Sequence, residues 1–431
     1  MLLEFSVTNY LSFKEKTTLN LSATAIKEHV ASNIFTSGRH NLLKGAVIYG
    51  ANASGKSNFV KAMSTMRRLV LQSFEQSSTD ELDITPFLLN TETENAPSSF
   101  EVVFLIGESK YRYGFEVDNR SVLSEWLFDA PKQAERPLFI REKDGIEVMP
   151  RVFPEGRDLE ERTRDNALFL SVVDQFNGKI AKQIMRWFHD FITISGLSHE
   201  RYKGVTFDLL ENKHTQHLLL DFYKKVDLGF DDITISKAPF DPRELPNDLP
   251  ENLLKQLITD LEESYRIDIK TVHKKYNAKN KVVGNVEFDM RSQESSGSNK
   301  LFNISGPIFD VLNDGGTLVV DELDASLHPL LTLAITRLFN SAEFNKNNAQ
   351  LIFATHDTNL LNYGNYRRDQ IYFVEKNKYG ASEMYSLVEY KEEGKTIRKD
   401  RSFEKDYIEG RYGAIPFIGN LSNVITEWQE K

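Results

Sequence analysis

Apolar residues alternate through Leu3, Phe5 and Val7 and again near Thr18 to Leu21, which predicts a pair of short strands at the start of the chain. A continuous apolar run, Ala46 to Tyr49, follows, and then Phe59, Ala62, Met63, Met66, Leu69 and Val70 recur at helical spacing on one face. The predicted order there is strand, glycine-rich turn, helix. Two more strands, Phe100 to Ile106 and Tyr111 to Val117, are joined by the turn Gly107-Glu108-Ser109-Lys110 and extend an antiparallel region. From about Asp158 to Ile192 the period turns helical, through Leu168, Leu170, Val172, Ile180, Ile184 and Phe188. Helices are predicted to continue over roughly 207–226 and 249–265, separated by the proline-rich stretch Pro239 to Pro250, which reads as a linker or exposed loop. A last helical pattern, Asn299 to Leu312, runs into the apolar strand Thr317 to Val320. Leu351 to Ala354, Gln370 to Lys376 and Glu383 to Tyr390 read as further strands.

This alternation predicts an α/β protein with a mixed sheet, an N-terminal antiparallel β-subdomain and a helical insert lobe. The expected division is 1–150, 151–285 for the lobe, and 286–431. Between Ser57 and Glu294 there is no sustained heptad repeat, so the insert is expected to be compact rather than a long coiled coil.

Composition narrows the reading. With 431 residues, 40% apolar and 11% aromatic, the chain can bury a large core and is not of disordered type. Fifty-three basic against 63 acidic residues give a formal charge of -10, which argues against a general nucleic-acid coat. Local basic runs remain, at Lys274-Lys275, Lys279 and Lys281 and at Arg398 to Arg401, where a solvated face is the ordinary alternative. The absence of cysteine excludes disulfides, zinc knuckles and thiol nucleophiles. The first residues carry neither the basic nor the long apolar region of a signal peptide, and no run approaches a membrane span, so a cytoplasmic protein with no membrane partner is expected.

Three stretches carry candidate chemistry. Gly50-Ala51-Asn52-Ala53-Ser54-Gly55-Lys56-Ser57 fits the phosphate-loop pattern in its strand-to-helix setting. The glycines let backbone N–H groups close around phosphate, and the new helix turns its free amides and positive dipole end toward the anion. Lys56 is placed to reach β- and γ-phosphates and the Ser57 hydroxyl to bind Mg²⁺. The plain alternative is a glycine turn with a solvated lysine. Thr317 to Glu322 is an apolar strand ending in two carboxylates. Placed beside the phosphate-loop strand, it would deliver Asp321 to Mg²⁺ and Glu322 to an attacking water. Read alone, it is equally a core strand with an acidic turn. Glu294-Ser295-Ser296-Gly297-Ser298, ahead of a helix, is either a ligand loop or a flexible serine-rich one.

Together with Leu323-Asp324-Ala325-Ser326-Leu327-His328-Pro329 and Leu351 to Asp357, these segments resemble the head domain of ABC-type ATPases. The resemblance is to the repair and defence branch that includes SMC, RecF and OLD proteins. It implies a Walker A motif at Gly50 to Ser57, a Walker B motif at Leu318 to Glu322 and a D-loop at Asp324 to His328. It also implies that His356 is a switch histidine touching γ-phosphate and that Ser295 and Gly297 belong to a signature loop that touches the nucleotide of a second copy. Glu294, Ser296 and Ser298 depart from the usual signature residues, and no glutamine between Leu82 and Trp126 can be assigned as the Q-loop. Asn9 to Phe13 resembles the branch's N-terminal signature, where it either approaches adenine and ribose or forms an aromatic turn packed on the core.

The activity implied is hydrolysis of ATP with Mg²⁺ by a homodimer, or a higher oligomer, that sandwiches nucleotide between protomers. The chain has no D-x-D carboxylate pair of the kind found in the TOPRIM nuclease of OLD proteins. It therefore resembles stand-alone ATPases of the RloA or AbiL kind, which implies a separately encoded toxin or nuclease effector in anti-phage defence. The competing reading is a RecF- or SMC-like repair ATPase that clamps DNA. A nucleotide-dependent scaffold without turnover is disfavoured by Glu322.

Overall fold

The computed structural model describes residues 1–131, 134–239, 243, 265–362, 364–392, 395–397 and 401–416. The chain forms two compact units, one made of Met1–His199 with Pro307–Lys431, the other of Glu200–Gly306.

In the first unit the strands are β1 (Leu2–Thr8), β2 (Thr17–Asn20), β3 (Ile34–Ser37), β4 (His40–Leu43) and β5 (Gly45–Tyr49), followed by helix α1 (Lys56–Gln72). Next come β6 (Ser98–Ile106), β7 (Ser109–Val117), β8 (Val122–Ala130), β9 (Arg136–Glu142) and β10 (Gly145–Val148). Helices α2 (Phe169–Gln175) and α3 (Lys179–His189) lead to β11 (Phe191–Ser195). The second unit holds α4 (Lys203–Glu211), α5 (Lys213–Lys225), β12 (Asp232–Pro239), β13 (Tyr265–Tyr276) and β14 (Val282–Asp289). Helix α6 (Ser296–Asp314) starts in the second unit and ends in the first. The first unit is completed by β15 (Thr317–Asp321), α7 (Pro329–Asn340), β16 (Gln350–Ala354), β17 (Ile371–Lys376), β18 (Ser382–Ser386) and α8 (Phe403–Ile408).

Two large sheets dominate the first unit, beside the small hairpin β3-β4. The antiparallel one runs β10-β9-β8-β7-β6-β1-β2, and the other runs β11-β15-β16-β5-β17-β18. The second sheet is parallel from β11 to β17, with β18 antiparallel at its edge. Strands β5 and β16 are buried at every position, which explains why they read as unbroken apolar runs rather than alternating ones: a parallel sheet is covered on both faces. Helix α1 contacts β11, β15 and β16 of one sheet and β1 of the other. All six positions of its predicted apolar face are buried, and Phe59 meets the rings of Phe5 and Phe13 edge-on at 5.5 and 5.6 Å.

Several expectations change. Strand β16 lies between β15 and β5, so the strand ending in Asp321 is not the direct neighbour of the phosphate-loop strand. That order depends on long-range pairing, such as Leu351 with Gly45, which local pattern does not encode. The segment read as helical to Ile192 ends in β11, which pairs with β15. The second compact unit is Glu200–Gly306, and beside its helices it contains the three-stranded antiparallel sheet β12-β13-β14. Only β13 is lysine-rich, with Lys270, Lys274 and Lys275, and most positions of β12 and β14 are exposed. The helix expected over 249–265 and most of the proline-rich stretch lie outside the described residues, as do Arg398, Lys399, Asp400 and Phe417. Among the described residues no helix is long and apolar enough to cross a membrane.

Candidate functional site

The phosphate loop is shaped by close approaches that only glycine permits. A Cβ on Gly50 would sit 2.4 Å from the Val374 carbonyl oxygen, and one on Gly55, at φ +119°, would sit 2.3 Å from Ser382 Oγ. Gly55 also caps α1, whose first residue is Lys56. The loop is further held from the side: Ser382 Oγ donates to the Ser54 carbonyl at 2.5 Å and lies 2.8 Å from Ser12 Oγ, and Asn58 Nδ2 donates to Ser12 Oγ at 2.8 Å. Lys56 Nζ is buried and donates to the carbonyls of Gly50 at 2.8 Å and Ala51 at 3.1 Å. The loop carbonyls thus hold the ammonium at the helix N-terminus.

Parallel register brings the other candidates to the same sheet edge. Val320 pairs with Phe353 and Ala354 with Ile48, so Asp321 and Glu322, Thr355 and His356, and Gly50 all leave the sheet at its carboxyl end, where such sheets bind ligands. A cleft of about 420 Å³ is lined by Asn52 to Asn58 together with Glu322, His356 and Lys376. The Leu323 N–H donates to the Ala354 carbonyl at 3.2 Å, and the His356 N–H donates to Asp324 Oδ2 at 3.2 Å, tying the acidic turn to the histidine turn. His328 also shapes the start of the next helix. Its Nδ1 accepts from the Leu330 N–H at 3.2 Å and caps α7.

One constraint was not visible in the sequence. The Gly196 N–H donates to the Asp321 carbonyl at 2.7 Å, and a Cβ there would lie 2.3 Å from the carbonyl oxygens of both Asp321 and Glu322. Gly196 therefore fixes the backbone of the two carboxylates. Ser382 and Lys376 were missed for the same reason, since only tertiary contact brings them to the loop, whereas Ser12 lies in the Asn9 to Phe13 segment. The aromatic turn at Asn9 to Phe13 resolves as core: Tyr10 and Phe13 are buried, and Asn9 Nδ2 donates to three carbonyls, those of Thr93, Ala96 and Pro97.

The electrostatics follow from burial. Burial pushes the Asp321 carboxyl up, against a hydrogen bond from Ser57 that pulls it down, while Glu322 raises it further and Lys56 and His356 lower it. Burial likewise pushes the Lys56 ammonium down, opposed by Asp321, Glu322 and Asp324. His356 is held below the ordinary histidine value, first by desolvation and then by Lys56. Four buried polar atoms in or next to this region have no hydrogen-bond partner: Ser54 Oγ, Asp321 Oδ1, Asp324 Oδ1 and Asp357 Oδ2. An unpartnered carboxylate oxygen beside a serine hydroxyl is an oxygen donor set that suits Mg²⁺. Among the described residues no group of three or more His, Cys, Asp or Glu could hold a metal ion. A cation held by Asp321 and Ser57 would therefore complete its shell with phosphate oxygens and water.

Ser295 and Gly297 belong to the second unit. Ser295 Oγ accepts from the Ser298 N–H at 3.0 Å and lies 2.9 Å from Ser298 Oγ, so the serine caps the start of α6. Glu294 Oε1 lies 2.7 Å from His273 Nε2 and accepts from the Thr271 hydroxyl, which joins the residue before Ser295 to β13.

A glycine-built phosphate loop, followed by a helix and faced by carboxylates across a parallel sheet, defines a P-loop nucleotide-binding domain of ATPase type. The chain belongs to the family described as "AAA domain, putative AbiEii toxin, Type IV TA system", which matches residues 46–362. No curated protein matches the chain. Among solved structures, the SMC head domain from Thermotoga maritima aligns with 89% of this chain and 98% of its own length, at 12% identity and a TM-score of 0.38.

Proposed function

We propose that the protein binds and hydrolyses ATP with Mg²⁺, closes into a homodimer around the nucleotide, and uses that closure to control a separately encoded effector. The observation that carries the reading is the convergence of Lys56, Ser57, Asp321, Glu322 and His356 on one sheet edge, with Asp321 Oδ1 buried and unpartnered. Lys56 exchanges the Gly50 and Ala51 carbonyls for phosphate oxygens, and the loop amides bind the same group. Ser57 and Asp321 would hold Mg²⁺, which when bound would supply positive charge against the phosphates.

Glu322 orients a water for in-line attack on the γ-phosphorus and takes its proton as the new P–O bond forms. The bond to the β-phosphate oxygen breaks, giving ADP and phosphate. His356, neutral at neutral pH because of desolvation and Lys56, donates an N–H to a γ-phosphate oxygen. Ser295 and Gly297 of a second copy add donors on the open side. Hydrolysis removes the contacts that hold the pair closed. The family description names a putative toxin of a type IV toxin–antitoxin system, which is compatible with a second, separately encoded partner, while the defence role rests on the resemblance to stand-alone ATPases.

Glu322→Gln tests this reading because it spares binding and removes the base. With ATP and Mg²⁺ the variant should lose turnover by roughly 10²- to 10⁴-fold and accumulate as a dimer by light scattering. A variant that binds ATP and stays monomeric would refute the closure mechanism. Co-purification of a neighbouring gene product tests the effector.

A further inference from the structure

The second unit contains a ribbon that its own fold does not use. Strands β13 and β14 form a hairpin whose residues are exposed without interruption from Lys274 to Glu287. Tyr276, Val282 and Val283 are 56%, 54% and 58% exposed, and Val286 is exposed beside them. A two-stranded hairpin with no apolar face to bury is marginal in water, so packing does not explain these side chains. From Ile269 to Val286 the sequence holds lysines at 270, 274, 275, 279 and 281 and no acidic residue, in a chain of formal charge -10.

Two of these lysines serve the unit itself: Lys270 pairs with Glu287 at 3.2 Å and Lys274 with Asp231 at 2.8 Å. Lys275, Lys279 and Lys281 have no ion-pair partner among the described residues. The turn that carries the last two is preset. Asn277 Oδ1 accepts from the N–H groups of Lys279 and Lys281 at 2.9 and 3.0 Å, and the Asn277 N–H donates to the Lys281 carbonyl at 2.9 Å. A ligand would therefore have to order the lysine side chains but not the backbone that carries Lys279 and Lys281.

We propose that this hairpin tip is a docking ribbon for the phosphate backbone of duplex DNA. Charge complementarity favours a polyanion, and the shape selects among polyanions. The B-form major groove admits a two-stranded β-ribbon, whereas the deep, narrow major groove of A-form RNA does not. A single-strand platform would need successive aromatic residues, and the tip has only Tyr276. The ribbon is also wired to the candidate signature. Thr271, His273 and Lys275 stand on one face, opposite Phe288, Val286 and Gly284, so the lysine lies two residues from the histidine bonded to Glu294 and four from the threonine. DNA on the ribbon would thus load the element that precedes Ser295.

The test uses the full chain without nucleotide, so that it does not depend on the ATP reading. Fluorescence anisotropy with a labelled B-form duplex should show binding at 50 mM salt. Three phosphate contacts predict a loss of roughly 40-fold between 50 and 200 mM. The variant K275E/K279E/K281E should lose most of that affinity and its salt dependence, while ATP binding and the circular dichroism spectrum stay as in the wild type. Double-stranded RNA, a polyglutamate peptide and phosphatidylserine vesicles should bind weakly. The proposal is overturned if the duplex does not bind, if the triple variant binds it equally well, or if any of those three probes binds as tightly through the same lysines.

Discussion

The phosphate-loop edge of the first unit and the serine loop of the second differ in how their polar groups are satisfied. Around the loop, Asp321 Oδ1, Asp324 Oδ1, Asp357 Oδ2 and Ser54 Oγ are buried without partners, and the Lys56 ammonium is held by backbone carbonyls. Around the serine loop, Ser295 is occupied by Ser298 and Glu294 by His273 and Thr271. The first region leaves oxygen atoms open to a ligand, and burying them unpaired is costly. The second is complete in itself, so it must give up a helix cap to touch a nucleotide. Binding is thereby expected to belong to one region and the decision to close to the other.

Substitutions in the two regions should separate these roles. The largest effect is expected from Lys56→Ala, which removes the charge facing the phosphates and should abolish ATP binding by isothermal titration calorimetry. Retained affinity would break the comparison at its stronger side. A smaller effect is expected from His273→Ala, which leaves Glu294 with one partner fewer. Losing a hydrogen bond of about 1 kcal/mol should weaken ATP-induced dimerisation by roughly fivefold, while the affinity of the protomer for ATP is unchanged. A change in that affinity instead would mean that the cluster acts on folding rather than on closure.

The smallest effect concerns pH. Desolvation and Lys56 hold His356 below its ordinary value of 6.5, so between that depressed value and 6.5 the unfolded chain binds more protons than the folded one. Stability of the nucleotide-free protein should fall as pH drops through that window, and His356→Gln should remove this component. The melting-temperature difference, variant minus wild type, should therefore grow between pH 7 and pH 5.5. A difference that stays constant would show that neither burial nor Lys56 lowers the imidazole.

Legibility in the sequence followed the range of the interactions. The loop Gly50 to Ser57, the strand before it and the apolar face of α1 are local patterns, and each formed where the residues placed it. Asp321, Glu322 and His356 were legible as strand ends, because a parallel sheet gathers its carboxyl termini at one edge. What escaped was non-local. The insertion of β16 between β15 and β5, the pairing of β11 with β15, and the Gly196 contact with Asp321 and Glu322 all join residues more than a hundred positions apart, or pair strands that no periodicity matches. The lysine-rich ribbon was legible only as a basic run at Lys274 to Lys281, although Ile267 and Ile269 alternate with polar residues in β13.

The central claim is that each nucleotide is held by the phosphate loop of one protomer and the serine loop of another. Its most direct test is the ATPase rate of a mixture of Lys56→Ala and Ser295→Arg, each inactive alone. In a mixed dimer the loop of the Ser295→Arg copy faces the intact serine loop of the Lys56→Ala copy, so turnover should reappear on mixing and rise with the fraction of mixed dimers. If both variants are inactive alone, each folded, and the mixture also stays inactive at every ratio, the site is not shared between two copies.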